Sequence, residues 1–193
     1  MAGITYAFSN TQGFRGLSSI YQFENKDGKN PDNVCGQAAC ATLLTYCVAA
    51  SPSMSTLRMI EMSHPADIAG GKFGTSPGRI REILEHYGAP TLDTIGTEGN
   101  LKRSLNNLFP VICLVQNKGG VTGLFSGAHW FVAFAYNDDG IFVTNYRNVF
   151  LSWKAWEEMW GSPLSNAAWV VDFKGITCPA RVLPSMTAPK NVA

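Results

Sequence analysis

The sequence predicts an α+β fold, with helices first and a mainly antiparallel sheet after them. Up to Pro110 the apolar residues recur at helical spacing, as in Ile80, Ile83, Leu84 and Tyr87. Beyond Pro110 they come in short runs such as Val111-Ile112-Cys113-Leu114-Val115, which suit buried strands. The chain has 193 residues, 46% of them hydrophobic and 15% charged, enough for one substantial core and few enough for a single domain. One domain over 1–193 is therefore expected, with its core at about 20–173.

The first nineteen residues are rich in Gly, Ser, Asn and Thr without a period and read as an irregular arm. Tyr21-Gln22-Phe23 and the polar, turn-forming stretch from Asn25 to Asn33 lead into a helix from about Gly36 to Ala50. That helix is apolar nearly all round (Ala38, Ala39, Ala41, Leu43, Leu44, Val48), the mark of burial on most faces. Met54 to Met62 reads as a short helix. Thr75-Ser76-Pro77 sets a capping residue before a proline at the first helical position, and the helix it opens runs to Gly88. Leu101, Leu105 and Leu108, with Lys102 and Arg103 opposite, make a further amphipathic helix.

The strand 111–115 is followed by a Gly-rich loop, Gly119 to Gly127, and then by the apolar run Trp130 to Tyr136. The turn Asn137-Asp138-Asp139-Gly140 joins that run to Ile141–Asn145 as a hairpin. Ser152 caps a helix, Trp153 to Trp160, whose Trp153, Trp156 and Trp160 share one face and read as core. Ala167 to Phe173 is expected as the last strand, and the tail from Cys178 as loose.

Lys plus Arg (15) nearly balances Asp plus Glu (14), with no basic stripe, so neither nucleic acid nor an anionic membrane is an expected partner. The start, Met1 to Phe8, lacks the basic and apolar pattern of a secretory signal, and no segment has the length of a membrane span. A cytoplasmic protein, or one exported without a cleaved signal, is expected. Cys35, Cys40 and Cys47, three of five cysteines, fall on one helix and its entrance, poorly placed for disulfides with one another, which favours a reducing compartment. Cysteines and histidines show no paired close spacing of the zinc-ligand type, so no metal or other cofactor is expected. Oligomeric state has no signature here.

The residues that carry chemistry stand far apart in sequence. Cys35 lies at a helix entrance, where unpaired N–H groups and the dipole favour a thiolate and lower the thiol pKa, and an adjacent imidazolium would lower it further. His129, on the strand at Ala128-His129-Trp130, is the candidate base. Asn145, on the hairpin partner, is the candidate third member that orients the imidazole. Counting outward from the turn places residue 145 opposite about residue 132, so an offset or a bulge is needed to bring it alongside His129. The backbone N–H of Cys35 can supply half of an oxyanion hole, and the Gln22 side chain is the candidate for the other half. Gln37, two residues into the helix, would point away from the sulfur. The remaining cysteines read as packing, His64 as a surface-loop residue and His86 as a partner of its helix dipole.

These stretches resemble the papain-like cysteine peptidases, and among them the bacterial peptidases that remove double-glycine leaders from bacteriocins, with their stand-alone relatives. The likeness rests on Asn33-Val34-Cys35-Gly36-Gln37-Ala38-Ala39, on Gly127-Ala128-His129-Trp130-Phe131-Val132 and on Asp139-Gly140-Ile141-Phe142-Val143-Thr144-Asn145. The helix ending Tyr87-Gly88 and the segment from Leu101 into Pro110-Val111-Ile112 also fall where those peptidases have their equivalents. The resemblance implies a nucleophile helix packed on the sheet, with Cys35 as nucleophile, His129 as general base and acid, Asn145 as orienting residue and Gln22 as oxyanion donor. It implies hydrolysis of a peptide or isopeptide bond in a protein or peptide substrate, through a thioester. At 145 the chain carries the asparagine of papain where leader peptidases commonly have aspartate. No transporter domain follows in this sequence, so leader removal coupled to export is not expected. The same triad would also serve a deamidase, a transglutaminase or a cell-wall amidase, and a degenerate relative would bind peptides without cleaving them.

Overall fold

The structure, a computed structural model, describes residues 12–13, 33–47, 54–72, 74–94, 97–116, 128–145, 147–160 and 175–178. The helices are α1 (Cys35–Cys47), α2 (Met54–Ser63), α3 (Pro77–His86), α4 (Glu98–Asn106) and α5 (Trp153–Trp160). The strands are β1 (Gln12–Gly13), β2 (Leu92–Thr94), β3 (Val111–Gln116), β4 (Ala128–Tyr136), β5 (Gly140–Asn145), β6 (Arg147–Ser152) and β7 (Gly175–Thr177). They form one sheet in the order β2-β7-β3-β4-β5-β6, with β1 also on β4, and every pairing is antiparallel.

Strand alternation sorts the sheet into two apolar faces. Ile112, Leu114, Trp130, Val132 and Phe134 pack with α1, α2 and α3. Val111, Cys113, Val115, Phe131 and Ala133 pack with Leu101 and Leu105 of α4 and Trp156 and Trp160 of α5. The sheet thus lies between two helical layers, and α4, although it belongs to the helical first half, covers the face opposite α1.

The caps form where the sequence places them. Ser76 accepts from the Arg79 N–H at 3.2 Å with Pro77 opening α3, and Gly88, at φ 79°, takes the left-handed turn beyond its end. Ser152 accepts from the Ala155 N–H at the start of α5, and Trp156 and Trp160 are buried as expected. In the β4–β5 turn the Asn137 side chain accepts from the N–H groups of Asp139 and Gly140, both at 3.0 Å. A Cβ at Gly140 would meet the Leu151 carbonyl oxygen of the adjacent strand, so only glycine fits this close approach.

Four elements depart from expectation. Gln12–Gly13, within the expected arm, pairs with Tyr136 and Ala135 of β4. β2, β6 and β7 arise where no strand was expected, and the expected strand 167–173 lies outside the described residues. Cys178, expected to begin a loose tail, is fully buried.

Candidate active site

Helix α1 starts at Cys35 because the Val34 carbonyl takes the first helical bond, from the Ala38 N–H at 2.9 Å. The first-turn N–H groups then have no acceptor within the helix and point out of its mouth. Burial pushes the Cys35 thiol above its ordinary value, while the backbone N–H groups of Trp130, Gly36 and Cys35 itself, within reach of the sulfur, offset part of the rise. The expectation of a lowered thiol pKa is corrected accordingly. The helix mouth acts in the expected sense, but desolvation outweighs it.

The contact with Trp130 places the Cys35 sulfur against the backbone of the residue that follows His129. His129 is the second residue of β4, opposite Val115 of β3, and its ring meets Phe131 edge-on at 5.1 Å between centroids. Cys35 and His129 retain 9% and 8% of their surface, whereas Cys40, Cys47, Cys113 and Cys178 retain none. That contrast separates Cys35 from the packing cysteines. Cys40 and Cys113 bury their thiols against the carbonyls of Ile80 and Val111, and Cys47 lies within hydrogen-bonding reach of Cys178.

Asn145 is the last residue of β5. Along β4–β5 the register runs Tyr136↔Ile141 and Ala135↔Phe142, then shifts to Ala133↔Val143 and Val132↔Thr144. This bulge gives β4 one extra residue. Continued by one position, the register brings Asn145 level with Phe131, one residue nearer to His129 than counting from the turn had placed it. Gln22 and the Gly-rich loop 119–127 lie outside the described residues.

Gln37 is fully buried. Its Nε2 donates to the His64 carbonyl at 3.1 Å, and its Oε1 accepts from Thr75 Oγ1 at 2.8 Å. The Trp130 indole Nε1 donates to the Thr75 carbonyl at 2.9 Å. Sequence reasoning passed over this network because nothing local marks a core glutamine as the partner of a distant threonine. His64, expected on a surface loop, is instead 7% exposed, with its ring 4.8 Å from that of His86 and its Nδ1 2.9 Å from Ser63 Oγ. Burial and the neighbouring His86 hold it below the ordinary histidine value. Among the described residues no group of 3 or more His, Cys, Asp or Glu side chains converges as a metal site. No helix among them is long and apolar enough to cross a membrane.

No protein-family model matches the chain, and no curated protein matches it significantly. Solved structures do match. A double-glycine-motif protease from an AMS/PCAT transporter, solved with its leader peptide, aligns over 88% of this chain and 96% of its own at 15% identity and a TM-score of 0.54. A Bacillus anthracis protein described as a C39-like peptidase aligns over 88% of this chain and 97% of its own at 14% identity and a TM-score of 0.59. The shared feature is the fold: a papain-like α+β arrangement of helices and a mainly antiparallel sheet.

Proposed function

We propose that this protein is a cysteine peptidase in which Cys35 is the nucleophile, His129 the general base and acid, Asn145 the residue that orients the imidazole, and Gln22 an oxyanion donor. The observation that carries this reading is the position of the one incompletely buried cysteine, with its sulfur against the backbone beside His129. The fold shared with double-glycine leader peptidases supports a peptide as substrate.

Burial disfavours the Cys35 thiolate, so attack calls for a base at hand. His129 takes that proton as the sulfur adds to the scissile carbonyl. The oxyanion formed is met by the Cys35 N–H and the Gln22 amide. The imidazolium then protonates the leaving amine, and a thioester remains on Cys35. Water, deprotonated by His129, releases the acid. The substrate bond is a peptide or isopeptide bond, residues 1–193 act as one domain, and the free thiols suit a reducing compartment.

Incubation with peptide pools, followed by mass spectrometry, tests the proposal. Cut chains with new amine ends are expected from the wild type and not from Cys35→Ala or His129→Ala. Products that are only deamidated or cross-linked would reassign the triad to acyl transfer of another kind. Cleavage that persists in Cys35→Ala would refute the assignment of the nucleophile.

A further inference from the structure

We propose that Thr75 is a positioning residue for the Cys35–His129 pair, holding the mouth of α1 and the start of β4 at a fixed separation. This rests on the reading of Cys35 and His129 as nucleophile and base. Thr75 belongs to neither element, yet it engages both. Its hydroxyl donates to Gln37, two residues beyond Cys35, at 2.8 Å. Its carbonyl accepts from the indole of Trp130, the residue after His129, at 2.9 Å. Its side chain also fills the space beside Gly36, where a Cβ would stand 2.6 Å from Thr75 Cβ and 2.8 Å from its Oγ1.

The network is buried and its ends are anchored. Thr75 is 3% exposed and Gln37 0%, and the Gln37 amide nitrogen donates to the His64 carbonyl. The next residue, Ser76, is fastened to Asp67 by its N–H at 2.7 Å and its hydroxyl at 2.6 Å. A hydroxyl lost from Thr75 would leave the Gln37 carbonyl oxygen without this donor in a buried site, so the loop and helix would have to rearrange. The effect would reach the sulfur directly. The Trp130 backbone N–H is one of the groups that favour the Cys35 anion, and any retreat of β4 from α1 weakens it.

The test is the rate of Cys35 alkylation by iodoacetamide across pH, in the full chain, for wild type, Thr75→Val, Thr75→Ser, Trp130→Phe and His129→Ala. Thr75→Val keeps the shape and removes the donor. It is expected to alkylate about tenfold more slowly at neutral pH, with its midpoint displaced upward. Thr75→Ser restores the hydroxyl and is expected to return the profile close to wild type, and Trp130→Phe to shift it in the same direction as valine. Thr75→Val superimposing on wild type, or Thr75→Ser failing to rescue, overturns the proposal. If Thr75→Val does not fold, a wild-type profile in Trp130→Phe overturns it instead. An unchanged profile in His129→Ala removes the pair itself and this proposal with it. A changed His129→Ala beside an unchanged Thr75→Val removes only the positioning role.

Discussion

The helix mouth has no room for a methyl group at position 36, since a Cβ there would crowd Thr75 and stand 2.9 Å from Ile80 Cδ1. Alanine normally favours a helix over glycine, but here overpacking opposes it and is the larger effect. Gly36→Ala is expected to lower stability by about 1–3 kcal/mol in urea unfolding, and a gain in stability would show that the mouth can yield. At this scale Cys35 was legible because a helix entrance followed by glycine is a local pattern. Thr75 was not, because its partners Gln37 and Trp130 lie 38 and 55 positions away. His64 was misread for a related reason: its place before Pro65 suggests a loop, while the ring of His86, brought in by α3, covers it.

At the scale of elements, α3 carries the clearest local signals and anchors the loop of Thr75. Ser76 caps it and also binds Asp67, so Ser76→Ala removes a cap and leaves a carboxylate without that hydroxyl donor. A loss of about 1 kcal/mol is expected from the cap alone, read as a lowered midpoint in thermal unfolding, and an unchanged midpoint would contradict the capping account. Caps, a proline and a terminal glycine made this helix and the β4–β5 hairpin readable. β2 and β7, three residues each, are too short to show a period. β6 escaped notice as a strand at the edge of the sheet whose Val149 is 37% exposed. The β4 bulge left no sequence mark either, although the need for an offset between Asn145 and His129 pointed towards one.

For the whole molecule, composition and the change of period at Pro110 were enough to read helices followed by a sheet. They could not assign α4 and α5 to the face opposite α1, because an amphipathic helix fits either side of a sheet that is apolar on both. Burial on both faces has a consequence for pH dependence. Desolvation raises the thiols of Cys40, on the α1 side, and Cys113, on the other. Above about pH 8.5 the unfolded chain loses these protons while the folded chain keeps them, so stability present below that pH falls as pH rises. Urea midpoints are expected to decline more steeply between neutral and alkaline pH in wild type than in a Cys40→Ala/Cys113→Ala variant. Parallel declines would show that these thiols titrate alike in both states.

The sequence contains three histidines, His64, His86 and His129, so their ring signals can be followed one by one in an NMR pH titration. If the Cys35 sulfur and the His129 imidazole act as a pair, Cys35→Ala moves the titration midpoint of His129 and leaves those of His64 and His86 in place. A His129 curve identical in wild type and Cys35→Ala would contradict the account.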